Sequence, residues 1–187
     1  DVYDGISDEG AGSFDVGLAM ELFEQAGVDP TGISFSCMCY TDATRRAAEV
    51  IQGCLSEVGI TMEIETLDFA AFLSKLLEGD FEAGIAGYTS SDVLTYMRGL
   101  WHTSSINATN SARISSAEID SLIDEAMATL DVAARTELVS RINLLVNEAC
   151  PIVPLYTSTY LRAYDADLGG VNVSGSGNMI FSDLCWN

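Results

Sequence analysis

Hydrophobic positions follow two different spacings along this chain. Residues 33–40, 61–67 and 81–88 are short apolar or alternating runs, which predict three strands. Between them, apolar residues recur every third or fourth position in "DATRRAAEVIQGCLSEVG" and "DFAAFLSKLLEGD", which predicts amphipathic helices, the second with Asp68 as its N-cap. The order strand, helix, strand, helix, strand is typical of parallel α/β sheets with right-handed crossovers. We therefore predict an α/β domain with a mixed sheet flanked by helices.

Helical spacing also appears on both sides of this strand region. A short amphipathic helix is predicted in "FDVGLAMELFEQAG", before the first strand. After the third strand, one helix is predicted over residues 116–130, with Ser115 and Glu118 in the pattern of a capping box. A second helix is predicted from Asp131 to about residue 149. We expect these last two helices to cover the sheet.

The two ends of the chain carry less regular patterns. Residues 1–14 are acidic and glycine-rich without periodicity, and we expect them to form a flexible boundary. Residues 152–164, "IVPLYTSTYLRAY", are predicted to form a further strand, followed by an irregular tail with a short closing strand. Because we find no internal repeat and no low-complexity linker, we expect residues 15–187 to form one domain.

The charge of the chain narrows the classes of partner. Its formal net charge is −20, and Lys75 is the only lysine. Nucleic acid is therefore not expected as a partner, since phosphate backbones are bound through Lys and Arg. The acidity fits either a solvated surface or attraction of a cationic ligand.

No apolar run is long enough for a membrane helix. Without a basic and apolar leader, the sequence fits a cytosolic chain, a mature form or an excised fragment.

Residues capable of catalysis or metal binding are sparse. Cys37 and Cys39 lie two apart on a predicted strand and share one face, but no second close pair of Cys or His completes a tetrahedral metal site. We favour buried free thiols over a metal pair there. His102 is the only histidine, and no nucleophile-elbow motif accompanies it. We therefore expect no enzyme activity, no metal and no cofactor.

Two loops are the best candidates for a binding site. In open α/β sheets, ligands bind outside the carboxyl ends of the strands, which points to "YTDAT" after the first strand and "GYTSSD" after the third. The second loop offers an aromatic face, hydroxyl groups, a carboxylate and a glycine that lets a ligand approach the backbone. Asp92 has an alternative role as the N-cap of a helix that begins near Val93. The predicted ligand-binding residues are Tyr40, Thr41, Gly87, Tyr88, Thr89, Ser90, Ser91 and Asp92.

A series of segments resembles a known family. The patterns are "IQ-x-x-L-x-x-x-GI", "L-x-x-GD-F-x-x-x-x-x-GY", "E-x-D-x-L-I-x-x-A" and "P-I-V-P-L-Y", in this order. Together they resemble the C-terminal lobe of extracellular solute-binding proteins that serve oligopeptide, dipeptide and nickel ABC importers, bacterial solute-binding protein family 5. The resemblance covers about residues 15–187. It implies one lobe of the type II periplasmic-binding-protein fold.

The resemblance also implies partners and a location. Members of the family are two-lobed receptors that close on a peptide or other small solute at the interlobe cleft and deliver it to a membrane permease. By this resemblance the first lobe is absent here, the protein acts outside the cytoplasm, and a lipid anchor is expected at the N-terminus of the complete protein. Tyr88 takes the place of the family's usual tryptophan at the end of the strand that lines the cleft.

One departure from the family pattern leaves the ligand open. Peptide binders of the family commonly carry an aspartate shortly after that aromatic residue, which pairs with the peptide's amino terminus. Here the matching position is Ser91, with Asp92 one place later. A one-residue slip in the loop restores the carboxylate, or the ligand is a solute other than a peptide. The alternatives to a binding lobe are a stand-alone interaction module and a small α/β enzyme.

Overall fold

We describe the fold from a computed structural model of the chain. It describes residues 14–90, 92–157, 161–174 and 177–186. The expected flexible boundary, residues 1–14, therefore lies outside the described residues except for Phe14.

The first half of the described chain alternates helices and strands as predicted. Asp15 caps the first helix, and Gly27 ends it in the left-handed conformation. The third predicted helix is capped by Asp68, whose carboxylate accepts from the amides of Ala70 and Ala71. The elements are α1 (Val16–Ala26), β1 (Ser34–Cys39), α2 (Asp42–Glu57), β2 (Thr61–Thr66), α3 (Phe69–Glu78) and β3 (Ala83–Gly84), with a short 3-10 turn at Pro30–Gly32.

These strands form a sheet of order β2-β1-β3 in which both pairings are parallel. One face of β1, including Cys37, packs with β2 and with Ala48 and its neighbours on α2. On the other face, the ring of Tyr40, the residue after β1, contacts Phe72 of α3. The helices α2 and α3 therefore cover opposite faces. The predicted α/β class is confirmed, with a parallel sheet among the described strands where a mixed one was predicted.

The third strand is shorter than predicted. Pairing with β1 involves only Ala83 and Gly84, and the Ile85 amide then donates to the Met38 carbonyl at 3.0 Å. Among the described strands, β3 lies at the edge of this sheet and pairs with β1 alone. The prediction of a strand over residues 81–88 was too long because Ala86, Gly87 and Tyr88 are exposed and pair with no strand in the described part of the chain.

The second half of the chain is helical. It consists of α4 (Val93–Trp101), a 3-10 turn (Thr103–Ser105), α5 (Ala117–Ala128) and α6 (Val132–Ala149). Buried side chains of these three helices form one cluster: Met97, Ile119, Leu122, Ile123, Ala126, Val139, Ile142 and Val146. The expectation that the last two helices cover the sheet was wrong. Their apolar stripes face each other and α4, so these stripes are already buried without the sheet.

Two local predictions in this half also need correction. Ser116, not Ser115, caps α5 by accepting from the Ile119 amide. The Ser115 hydroxyl instead accepts from Thr103 at 3.2 Å, and Glu118 pairs with Arg141. The capping box therefore does not form, because the helix begins one residue later than the sequence pattern indicated.

The predicted strand over residues 152–164 is not found in its described parts, residues 152–157 and 161–164. Pro154 removes a backbone donor, and the side chains in these described parts are exposed. Farther on, four two-residue strands form two antiparallel pairs, separate from the parallel sheet. They are β4 (Leu168–Gly169) with β7 (Cys185–Trp186) and β5 (Asn172–Val173) with β6 (Met179–Ile180).

The apolar stripe of α1 is not buried. Phe14, Leu18 and Leu22 follow each other at four-residue intervals and are all exposed. Among the described helices, none combines the length and the apolar character that crossing a bilayer requires.

Candidate functional site

The carboxyl ends of β1 and β3 form the edge where the predicted site residues begin. Because α2 connects β1 to β2 and α3 connects β2 back past β1 to β3, the chain reverses its direction across the sheet between β1 and β3. Such a switch point opens a crevice beyond the carboxyl ends of the strands, where ligands bind in open α/β sheets. The register Met38↔Gly84 brings the loops after both strands to this edge. We call it the switch-point edge, formed by the described residues 40–41, 85–90 and 92.

Three helices begin after strands at the carboxyl end of the sheet, and each has its own cap. The Thr41 hydroxyl accepts from the Thr44 amide at 3.1 Å, and Thr44 bonds back to Thr41 in a capping box. Asp68 caps α3 and Asp92 caps α4. These caps occupy first-turn amides that an anion would otherwise use. Side chains and loop backbone are therefore the groups this edge can offer to a ligand.

Tyr40 and Thr41 both have structural partners at this edge. The half-buried ring of Tyr40 lies 4.6 Å from the ring of Phe72 and 5.4 Å from that of Phe69, measured between centroids. Thr41 is exposed but acts as the α2 cap. Both residues lie where the sequence analysis placed them, and their contact with a ligand stays a prediction.

The loop after β3 holds the remaining predicted residues. Gly87 and Thr89 are exposed, and a side chain added at Gly87 would meet open space. The hydroxyl oxygen of Ser90 is buried and has no hydrogen-bond partner among the described residues. Ser91 lies outside the described residues. The fold itself does not require a glycine at position 87, so the space in front of this backbone is open to a ligand.

Tyr88 is the aromatic residue of this loop, and its side chain is 37 % exposed. Its ring centroid lies 5.5 Å from that of Tyr96 on α4, and Tyr96 in turn meets Trp101 edge-on at 5.9 Å. Burial raises the pKa of the Tyr96 hydroxyl, and the neighbouring Tyr88 raises it further. The three rings form a chain of aromatic contacts from the loop into the helical half, and the first ring, that of Tyr88, is partly exposed.

Asp92 uses both carboxylate oxygens within its own helix. One accepts from the Thr95 amide at 2.9 Å, and the other accepts from the Thr95 hydroxyl at 2.6 Å. The capping role considered in the sequence analysis is therefore present in the structure. A role of Asp92 in ligand binding stays a prediction.

The residues considered for catalysis or metal binding are buried in the protein interior. His102 is buried, and its Nδ1 accepts from the Ser104 amide at 3.0 Å. Cys37 and Cys39 are buried free thiols, as favoured from the sequence, and burial raises the pKa of Cys37. Within the described ranges, no group of three or more His, Cys, Asp or Glu residues is placed to hold a metal ion.

Two residues beside Tyr88, namely Tyr96 and Gly99, were not predicted from the sequence. The helical pattern of "VLTYMRGLW" predicted α4 but not that its Tyr96 ring contacts the preceding loop. One indication was present: a glycine in a helix interior destabilises the helix, so Gly99 suggested a close approach by another group. The structure shows that this group is the Tyr88 hydroxyl.

Comparisons with known proteins identify the family to which the chain belongs. The model described as "Bacterial extracellular solute-binding proteins, family 5 Middle" matches residues 1–108. The chain is 27 % identical over 152 residues to the peptide transport periplasmic protein SapA of Salmonella typhimurium, covering 80 % of this chain and 28 % of that protein. It is also 27 % identical over 168 residues to a dipeptide-binding protein of Pseudomonas aeruginosa, covering 86 % of this chain and 32 % of the relative.

A solved structure extends the likeness to the fold. The dipeptide-binding protein of Pseudoalteromonas sp. SM9913, in complex with Met-Leu, superposes with a TM-score of 0.84 at 21 % identity, over 96 % of this chain and 37 % of that chain. The chain thus spans about a third of the length of the relatives it matches. The family consists of solute-binding proteins and not of enzymes, as expected from the sequence. This chain belongs to family 5 of the bacterial extracellular solute-binding proteins.

Proposed function

We propose that residues 15–187 form the C-terminal ligand-binding lobe of a two-lobed receptor, the solute-binding component of an ABC importer. The complete protein captures its ligand in the cleft between the lobes and delivers it to a membrane permease. The observation that carries this proposal is the switch-point edge: two loops leave neighbouring parallel strands there, one with an exposed aromatic ring and an open glycine.

Short peptides are the ligand class we propose. Two relatives, from Salmonella typhimurium and Pseudomonas aeruginosa, are named for peptide transport and dipeptide binding. The edge suits such ligands because it combines an aromatic face, hydroxyl groups and accessible backbone. These groups can hold a molecule, and none of them pairs a nucleophile with a base in the described part of the chain. The alternative of another small solute follows from the capping role of Asp92, which occupies the loop's carboxylate.

The location follows from the same proposal. The Salmonella relative is named a periplasmic protein. We place the complete protein outside the cytoplasm, held by a lipid anchor at the N-terminus of its first lobe. The predicted ligand-binding residues Tyr40, Thr41, Gly87, Tyr88, Thr89, Ser90, Ser91 and Asp92 would line this lobe's side of the cleft.

Calorimetric titration of the complete two-lobed protein tests the proposal. The panel contains the dipeptide Met-Leu, a tripeptide, a nickel–histidine complex and an oligosaccharide. We expect binding of at least one peptide and no heat of binding with the other two solutes. Binding of only the nickel complex or the oligosaccharide would refute the peptide proposal while retaining a solute-binding role. No binding to any member of the panel would refute both.

The separate 187-residue chain provides a matched comparison. It should bind the best peptide at least tenfold more weakly than the complete protein, because half of the enclosing contacts are missing while the cost of immobilising the ligand remains. Equal affinity would show that this chain holds the whole site and would contradict its assignment as one lobe of two.

A further inference from the structure

We propose that Tyr88 is a preset aromatic platform, held in place by Tyr96 and Gly99 and presenting its ring rather than its hydroxyl to the ligand. The proposal rests on the proposed function and adds to it two positioning residues. It also specifies the ligand group at this position: an apolar or planar group that packs on a ring face. A group that must hydrogen-bond to the Tyr88 hydroxyl does not fit.

The position of the hydroxyl carries this inference. A Cβ placed on Gly99 would overlap the Tyr88 hydroxyl oxygen and stand 3.1 Å from the ring carbon that bears it. The polar tip of Tyr88 therefore points at the backbone of α4, into a notch that exists because residue 99 has no side chain. Gly99 lies within α4 and has no positive φ, so its backbone conformation does not require glycine. The close approach of Tyr88 is the physical reason we find for glycine at this position.

The orientation of the ring is fixed from a second side. Tyr96 contacts it at 5.5 Å with an interplanar angle of 57°, and Tyr96 is itself supported edge-on by Trp101. Aromatic pairs at such distances and tilts attract each other beyond simple burial of area. With its tip in the notch and one side against Tyr96, the ring has few alternative positions. More than a third of Tyr88 still remains exposed, which leaves ring surface for a ligand.

The neighbouring carboxylate supports the same conclusion about the ligand group. Asp92 accepts from Thr95 through both of its oxygens, so it is engaged with α4 in this arrangement. Beside the Tyr88 ring, the loop thus offers neutral groups, namely the exposed Thr89 side chain and the open backbone at Gly87. Binding surfaces that are ordered before the ligand arrives lose less entropy on binding, which is the advantage of a preset platform.

A double-mutant cycle on the 187-residue chain tests the positioning without any ligand. Alanine in place of a helical glycine normally stabilises a helix. We expect Gly99→Ala to lower the melting temperature when Tyr88 is present, because the new methyl group displaces the tyrosine ring. In the Tyr88→Ala background, the same change should raise the melting temperature. An identical effect of Gly99→Ala in both backgrounds would refute the claim that Gly99 makes room for the Tyr88 side chain.

Affinity of the complete protein for Met-Leu tests the platform itself. We expect Tyr88→Ala and Gly99→Ala each to weaken binding by about three- to tenfold, the range for loss of one aromatic contact. Tyr88→Phe should recover the affinity that Tyr88→Ala loses, since it keeps the ring. Failure of this recovery would show that the hydroxyl binds the ligand and would overturn the proposal.

These arms separate the proposal from the function on which it rests. If Met-Leu is not bound by the wild-type protein, the best peptide of the titration panel replaces it as the probe. If Tyr88→Ala leaves the affinity unchanged, the binding edge assigned under the proposed function is wrong. If Tyr88→Ala weakens binding but Gly99→Ala does not, the edge stands and the positioning role of Gly99 is refuted.

Discussion

Counted over the described residues, eight buried apolar residues of α4, α5 and α6 form one cluster, whereas the sheet half buries four in the cluster against α2 and others, such as Phe72, on the opposite face. The predicted ligand-binding residues lie at or beside the sheet, on loops after β1 and β3. The larger helical cluster contains none of them. A direct link between the halves is the hydrogen bond from Arg113 to the Leu77 carbonyl, at 3.0 Å. The helical half therefore has one continuous core, whereas the sheet half divides its buried residues between the two faces of a sheet whose edge carries the predicted binding loops.

The largest expected effect is on stability, in the helical half. Leu122 is buried between helices, so Leu122→Ala should reduce the free energy of unfolding by about 2–5 kcal/mol, as truncation of a buried leucine does. Leu130→Ala is the matched control, because Leu130 is 92 % exposed and should cost less than about 0.5 kcal/mol. Chemical denaturation of the 187-residue chain measures both.

The same variant should leave ligand affinity unchanged in the complete protein. Leu122 contacts none of the switch-point edge residues in the clusters described. A stability loss below about 0.5 kcal/mol for Leu122→Ala would contradict the proposed role of Leu122 in the helical core, because truncation of a buried leucine costs more than this. A matching loss of affinity in the folded Leu122→Ala protein would also contradict it.

A smaller effect is expected at the junction of the two halves, where Asp92 caps α4. Asp92→Ala should destabilise the chain by about 1 kcal/mol, whereas Asp92→Asn should be nearly neutral because asparagine is also a good cap. Asp131→Ala, at the cap of α6, is the control and should cost about as much. Thermal and denaturant unfolding measure all three.

Affinity measurements on the same variants show what the Asp92 charge does. If capping is its only role, Asp92→Asn binds peptide as well as the wild-type protein does. A loss of peptide affinity in Asp92→Asn without a loss of stability would show that this carboxylate binds the ligand in addition to capping the helix.

The smallest expected effect is a pH dependence in the helical half. The hydrogen bond from Arg98 lowers the pKa of Asp124 below its ordinary value of 3.8, and the nearby His102 lowers it further. Because the folded state has the lower pKa, this contribution to stability is present above about pH 4 and is lost as pH falls through the folded-state pKa. Asp124→Asn should therefore lose less stability than the wild-type chain between pH 5 and pH 3.

Salt provides the control for this effect. Asp124 is largely exposed, so about 1 M salt should shrink the difference between the two proteins. Melting temperatures at both pH values and both salt concentrations give the answer. An equal acid-induced loss in Asp124→Asn and wild type at low salt would show that the Arg98 pair contributes nothing.

Sequence patterns predicted which segments are helical better than they predicted what these segments contact. The spacing of apolar residues in α5 and α6 indicated a buried face on each, and Asp131 was identified at the start of α6. An apolar stripe shows that a face is buried but not against which element. The packing of these helices on each other and on α4, instead of on the sheet, was therefore not predictable from spacing alone.

The binding edge, too, was predictable from the sequence only in part. The order of strands and helices along the chain predicted parallel strands, and the loops after β1 and β3 follow from that topology. The approach of Tyr88 to Gly99 and the ring contact with Tyr96 depend on how the loop folds back on α4. Sequence spacing does not encode such contacts, apart from the unexplained glycine within the helix.

The central claim is that the loop after β3 holds the ligand, and the peptide affinity of Tyr88→Ala in the complete protein tests it most directly. The matched control is Val50→Ala, because Val50 is 67 % exposed near the middle of α2, about 12 Å along the helix from its N-terminal end. Calorimetry should show a loss of about three- to tenfold for Tyr88→Ala and no change for Val50→Ala. Equal affinities of the wild-type protein and both variants would contradict the account.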